Sequence, residues 1–86
     1  MQAKRERIAP RLVGSMRVNE MLGLAGHTHV GQEPLADILE RVGIDPAGED
    51  GNGNFRWSEK AVEGALERIK DAIKQWRVEQ AEASLR

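Results

Sequence analysis

Four side chains that carry oxygen ligands lie close together in the middle of the chain, where residues 48–59 read GEDGNGNFRWSE. They are Asp50, Asn52, Asn54 and Glu59. Carboxylate and amide oxygens at such short spacing are the ligands that Ca²⁺ takes from a single loop. The same letters are also typical of a tight turn, because Gly and Asn adopt a positive φ at little cost. The segment therefore predicts either a cation site or a bend between two elements.

Over these twelve residues the sequence resembles the calcium-binding loop of the EF-hand family. With Gly48 in the first position, the resemblance places Gly53 in the sixth, where that family needs a sharp bend. The side chains that it implies as ligands are Asp50, Asn52, Asn54 and Glu59. The sequence departs from the family at Gly48, which offers no carboxylate, and at Arg56, which brings a positive charge. We therefore predict a structural turn with no metal and no cofactor, and keep a degenerate EF-hand-like calcium-binding module as an alternative.

The only two histidines, His27 and His29, lie two residues apart in the segment AGHTHVGQ. Imidazole nitrogens at this spacing could bind a metal ion if Glu33 or Asp37 supplied a third ligand. The sequence has no cysteine, which removes disulfides, thiolate catalysis and cysteine-ligated zinc. Two histidines alone are a weak signal for a metal site, and we predict a polar loop here.

Positive charge is concentrated at the start of the sequence, although the formal net charge of the whole chain is −1. The basic residues concerned are Lys4, Arg5, Arg7, Arg11 and Arg17. A basic segment on an acidic body can contact nucleic-acid phosphate or the acidic surface of a partner protein. A nucleic-acid-binding regulator that uses this segment is therefore an alternative function.

The first two predicted helices do not form an ordinary helix-turn-helix. Their connection is about twice as long as the three or four residues that are usual in that motif. The second helix also carries Asp37 and Glu40, which phosphates in a DNA groove would repel. Only the basic N-terminal segment suits nucleic acid, and its binding would depend on salt and not on base sequence.

Several functional classes have no support in the sequence. No phosphate-binding loop or nucleophile elbow is present, so we predict that the protein is not an enzyme. No apolar run approaches the roughly 18 residues of a membrane span, and no signal-peptide core follows the basic start. We expect a soluble, cytoplasmic protein without a membrane partner.

The spacing of apolar residues predicts an all-α fold of three helices in a single small domain, residues 1–86. A basic arm at 1–9 precedes a first helix, which begins near Ala9 or Pro10 and ends at about Leu24. Loops are predicted near 25–33 and 44–57, with a short amphipathic helix between them that Gly43 ends. The last helix is predicted over about 58–84, with Ser58 as its N-cap.

Apolar residues of this last helix recur at alternating steps of four and three, which is the spacing of a coiled-coil seam. The seam consists of Val62, Leu66, Ile69, Ile73 and Trp76. A helix of about 27 residues is roughly 40 Å long, whereas a globule of this size is about 30 Å across. Either the last two turns fray and the seam packs only on the two shorter helices, or the helix projects from the domain and packs on another chain. We favour pairing with a second copy through the seam.

These patterns together predict a small non-enzymatic protein–protein interaction module. We expect a regulator or inhibitor of bacterial or phage type that docks on a partner protein and forms a homodimer through the C-terminal helix. The seam residues, together with the basic N-terminal residues, are its predicted contact surface.

Overall fold

The computed structural model describes residues 11–85, which form both helices and strands. The elements in chain order are β1 (Leu12–Val13), α1 (Ser15–Met21), a 3₁₀ helix (Gly26–Thr28), α2 (Gln32–Arg41), β2 (Gly48–Glu49), β3 (Phe55–Ser58), α3 (Glu59–Glu63) and α4 (Leu66–Ser84). This part of the chain is mixed α/β, with four α-helices and a three-stranded antiparallel sheet. The predicted all-α fold of three helices is therefore wrong.

The three strands pair in the order β1-β3-β2, so β3 is the central strand. Val13 of β1 lies opposite Trp57, and Gly48 of β2 lies opposite Arg56. Strand β1 occupies residues that were predicted to be helical, and the described helix begins only at Ser15. Residues before 11, where that predicted helix starts, lie outside the described part. The predicted loop at 44–57 is in fact a β-hairpin for much of its length.

The connection between α1 and α2 contains a 3₁₀ turn and is fixed by one buried polar side chain. Helix α1 is followed by Gly23 with φ +75°. The Asn19 amide is buried and donates hydrogen bonds to Ser15 O and Val30 O, while its oxygen accepts one from Val30 N–H at 2.8 Å. These bonds hold the loop against α1, which sets the position from which α2 starts.

The amphipathic character predicted for α2 is confirmed. Leu35, Ile38 and Leu39 are fully buried on one side of the helix. After the helix, Gly43 has φ +85°, and Ile44 N–H donates to Leu39 O at 2.9 Å. This is the glycine-ended helix terminus that the sequence predicted.

The long C-terminal helix is interrupted near its start. The Ser58 hydroxyl accepts a hydrogen bond from Ala61 N–H at 3.2 Å, which confirms the predicted N-cap. Helix α3 then ends at Gly64, and α4 begins after Ala65, whose φ of −128° is not helical. Glycine has a low helix propensity, so the interruption falls at the position where continuing the helix is least favourable. Ala65 is buried there, which allows both helices to pack on the same core.

One apolar core joins the sheet to all four helices. Trp57 of β3 is completely buried in it and packs edge-on against Phe55, with ring centroids 6.0 Å apart. The aliphatic residues of this core are Val13, Val18, Leu22, Val30, Leu35, Ile38, Leu39, Ile44, Val62, Ile69 and Ile73. Among residues 11–85, no helix is both long and apolar enough to cross a membrane.

Candidate functional site

The oxygen-rich segment forms the turn of the β2–β3 hairpin, and the turn uses its own oxygen atoms. The Asp50 carboxylate accepts hydrogen bonds from Asn52 N–H at 2.8 Å, from Asn54 N–H at 3.0 Å and from the Asn54 side-chain amide at 3.1 Å. Gly53 supplies the bend with φ +82°. Arg56 reaches back from β3 to within 3.3 Å of the same carboxylate.

These contacts stabilise the charged form of Asp50. The hydrogen bond from the backbone N–H of Asn54 contributes most to lowering the pKa of this carboxylate. The bonds from the Asn54 side-chain amide and the backbone N–H of Asn52 follow. Together with the nearby charge of Arg56 they lower the pKa of Asp50 from 3.8 to about 2. A carboxylate that already accepts three hydrogen bonds and an ion pair would have to give these up to bind Ca²⁺.

Glu59, the last of the four predicted oxygen ligands, is engaged elsewhere. Its carboxylate lies 3.6 Å from Arg11 and 3.5 Å from Arg17, and only 16% of its side chain is exposed. It therefore joins the start of β1 and helix α1 to the first turn of α3. The structure brings Asp50, Asn52 and Asn54 together but gives Glu59 different partners.

His27 and His29 are both exposed, in and just after the 3₁₀ helix. In the part of the chain that the structure describes, no three His, Asp or Glu side chains are grouped so that they could hold a metal ion. His27 and His29 are therefore not grouped with Glu33 or Asp37 as a metal site.

The predicted basic segment is only partly within the described residues. Lys4, Arg5 and Arg7 lie outside them. Arg11 and Arg17 flank Glu59, and Arg17 also lies 3.2 Å from Glu20; hydrogen bonding to Glu20 is the main influence that raises its pKa.

Arg56 lies beside Gly14, the residue that precedes α1. A Cβ on Gly14 would come within 3.0 Å of its guanidinium, so Gly14 makes room for this side chain. Arg11, Arg17 and Arg56 form what we call the arginine cluster. The sequence indicated two of them through the basic segment, but Arg56 joins them only because β3 pairs beside β1.

The predicted seam faces the protein's own core. Val62, Ile69 and Ile73 are buried, and Leu66 and Trp76 are partly buried against the same cluster. An apolar stripe of this kind is needed equally for packing within a chain and between chains. The sequence pattern found the stripe but carried no signal about what it packs against.

Two polar contacts are the last ones that α4 makes with the other described elements. Arg77 donates to Thr28 O at 2.8 Å, and Arg41 of α2 lies 2.9 Å from Glu79. Hydrogen bonding to Arg41 lowers the pKa of Glu79. Sequence reasoning missed these contacts because they join residues far apart in the chain.

The end of α4 extends past these contacts and exposes an apolar stripe. Residues 80–85 are all exposed. Val78 and Leu85 are 50% and 86% exposed. At about 100° per residue, Val78, Ala81 and Leu85 share one side of the helix, opposite Ile69 and Trp76. We call these three residues the outer stripe.

The exposed side of α2 is acidic. Glu33, Asp37 and Glu40 are exposed there, and the only cation on the helix, Arg41, is held by Asp37 and Glu79. Residues 11–85 hold nine Lys and Arg against 13 Asp and Glu, which is a formal charge of −4. A nucleic acid would therefore meet repulsion from most of this surface.

Comparison with known proteins adds nothing to this description. No protein-family model, no curated protein and no solved structure matches the chain.

Proposed function

We propose that the protein is a non-enzymatic protein–protein interaction module that docks on a partner through the outer stripe at the end of α4. The partner is another protein chain, and the hairpin, α1, α2 and α3 form the body that holds α4 in place. The binding role is the one expected from the sequence. The proposed contact surface, however, is now on the opposite side of the helix from the seam.

The observation that carries the proposal is the exposure of the outer stripe on helical turns that extend past the body. Helical turns in water gain most of their stability from packing an amphipathic side against something. In α4 that packing ends with Trp76, Arg77 and Glu79, yet the helix continues to Ser84. Apolar residues at steps of three and four along such a segment are the anchors of helix-mediated docking.

Affinity capture with matched variants tests this proposal. The wild-type chain, a Val78→Glu/Leu85→Glu variant and a Met16→Glu control would each be used as bait in a source lysate. Met16 is also an exposed apolar residue, but it lies on α1 at 71% exposure. We expect one partner to be retained by the wild type and the control and lost by the double variant.

The double variant changes only exposed positions, so its thermal unfolding should match that of the wild type. A partner that binds all three baits equally would exclude the outer stripe as the docking surface. Capture by the wild type and the double variant, with loss on Met16→Glu, would move the site to α1.

A second candidate function is phosphate contact with nucleic acid by the arginine cluster. The observation that favours it is the position of three arginines: Arg11 and Arg17 flank Glu59, and Arg56 of β3 lies against Gly14 before α1. In helix-turn-helix proteins the second helix enters the major groove. The acidic side of α2 opposes that mode, so only sequence-independent contact through the arginine cluster is proposed.

Binding to random duplex DNA over a range of salt concentrations tests this candidate. An Arg11→Ala/Arg17→Ala variant should weaken binding and reduce its salt dependence, because each phosphate contact releases a counterion. The control is Lys70→Ala, which removes an exposed charge from α4. Absence of binding at low salt would reject nucleic acid as a partner.

A further inference from the structure

We infer that Asn52 is a site of spontaneous deamidation, at which the backbone nitrogen of Gly53 displaces ammonia from the Asn52 side-chain amide. A bond forms between Gly53 N and Asn52 Cγ, the Cγ–NH₂ bond breaks, and the Gly53 N–H proton leaves with the amide nitrogen as ammonia. Water then opens the resulting succinimide ring to aspartate or isoaspartate at position 52. This modification of the hairpin turn is independent of the proposed function.

The Asn52 side chain is free to react. It is exposed, and among residues 11–85 its amide group has no hydrogen-bond partner. Its backbone N–H, by contrast, donates to Asp50 Oδ1 at 2.8 Å, which holds the residue at the tip of the turn. The amide carbon is therefore open to attack by the nitrogen of the next residue.

Gly53 supplies that nitrogen with the least steric hindrance, because it has no side chain. Its N–H donates to Asp50 O at 3.1 Å, so this hydrogen bond has to open before the ring can close. Residues 51–54 are all exposed, and none of them belongs to the apolar core. Segments with so few buried contacts open locally at little cost in free energy. We therefore expect the folded chain to react, although more slowly than the unfolded chain.

The two neighbouring candidates in the turn are protected. Ring closure at Asp50 and Gly51 needs a protonated carboxyl group, whereas the pKa of Asp50 is about 2 and its oxygens accept hydrogen bonds. The Asn54 amide donates to Asp50 Oδ2 at 3.1 Å, and the bulky Phe55 follows it. Asn52 is therefore the residue of this turn at which the reaction is favoured.

The product changes the turn in two ways. Either form adds a negative charge close to the Asp50 carboxylate. Isoaspartate also lengthens the backbone by one CH₂ group, which disturbs the spacing of the bonds from Gly53 N–H and Asn54 N–H to Asp50. Next to this turn, Phe55 N–H donates to the Gln32 side chain at 2.6 Å. Deamidation should therefore loosen both the hairpin and its attachment to α2.

Peptide mapping of the folded protein, incubated for several weeks at mildly alkaline pH, tests the inference. Trypsin cleavage after Arg41 and Arg56 releases the peptide 42–56, which contains Asn52. Its mass should rise by about 1 Da as the amide becomes a carboxyl group, and fragment ions should place the gain at position 52. The product should separate into two species of equal mass, aspartate and isoaspartate. Conversion should accelerate with rising pH, because the attacking nitrogen has to lose its proton.

An Asn52→Gln variant is the matched control, since its longer side chain would have to close a larger ring. Its peptide should keep its mass, and its thermal unfolding should match that of the wild type because the position is exposed. Wild type in urea gives the rate with the turn open, and the folded rate should lie within about tenfold of it.

Three results would overturn the inference. The first is a folded wild type that keeps its mass while the sample in urea converts. The second is a mass gain at Asn54 or at the buried Asn19 in place of Asn52. The third is an equal gain in the Asn52→Gln peptide.

Discussion

In the β2–β3 hairpin the Asp50 carboxylate is engaged by Asn52, Asn54 and Arg56, whereas in the last turns of α4 Val78 is half exposed and Leu85 is almost fully exposed. The hairpin has the more conspicuous sequence, yet the Asp50 carboxylate in its turn already accepts hydrogen bonds from its neighbours. The end of α4 has an ordinary sequence and leaves apolar groups exposed. A functional surface is better located by unsatisfied chemistry than by motif resemblance.

The largest loss of stability is expected for substitutions of Trp57, with which the hairpin enters the core. Trp57→Ala removes a completely buried ring and should lower the free energy of unfolding by about 3–5 kcal/mol. Trp57→Phe should cost clearly less, because the indole N–H has no acceptor among the described residues and Phe removes that unpaired group. Denaturant unfolding of both variants measures the difference. Equal losses would contradict this, because Phe fills most of the volume that Ala leaves empty.

A smaller loss of stability is expected at Ser58, the residue that joins the hairpin to α3. Ser58→Ala removes the hydroxyl that accepts the Ala61 N–H and should lower the free energy of unfolding by about 1 kcal/mol. Ser58→Asp keeps an acceptor at the N-terminus of the helix and should retain most of the stability. If both substitutions lower the free energy of unfolding equally, the Ser58 cap does not contribute to stability.

Acidification should weaken the hairpin turn selectively. The folded-state pKa of Asp50 is about 2, below the ordinary value of 3.8. Its stabilising contribution is therefore complete above about pH 4 and is lost as the pH falls towards 2. Melting temperatures from pH 5 to pH 2 should fall more steeply for the wild type than for Asp50→Asn. Parallel curves would show that other carboxylates account for acid sensitivity.

The smallest effect on stability is expected at the outer stripe. Val78→Ser and Leu85→Ser should each change the free energy of unfolding by less than about 0.5 kcal/mol, because both residues are exposed and remote from the core. Thermal unfolding of both variants beside the wild type provides the measurement. A large loss in either variant would mean that the stripe packs within its own chain.

Helix positions were predictable from sequence where local chemistry decides them. Ser58 caps α3, and Gly43 follows α2 with a positive φ, as the residue types indicated. Strands β1 and β2 were missed because each has two residues, too few to show the alternation of a strand. Their pairing depends on β3, and contacts between distant segments leave no local pattern in one sequence.

The candidate sites also divide into features that local sequence decides and features that depend on contacts between distant segments. Turn residues around Gly53 were predictable because the φ that the bend needs is a local property. The seam was identified as apolar, but whether Ile69 meets its own chain or another depends on the fold. The arginine cluster and the pair formed by Arg41 and Glu79 depend on elements far apart in sequence, and no residue spacing reveals them.

The two edges of β3 differ in how much chain separates them from their partners. Val13 pairs with Trp57 across 44 residues, whereas β2 and β3 belong to one hairpin. Closing the longer loop costs more entropy, so we expect β1 to join last during folding and to detach first. Hydrogen exchange can follow this order, since Glu59 N–H donates to Arg11 O and Ala47 N–H donates to Arg56 O. Exchange should be faster at Glu59 than at Ala47, and the reverse order would mean that strand β1 is part of the folding nucleus.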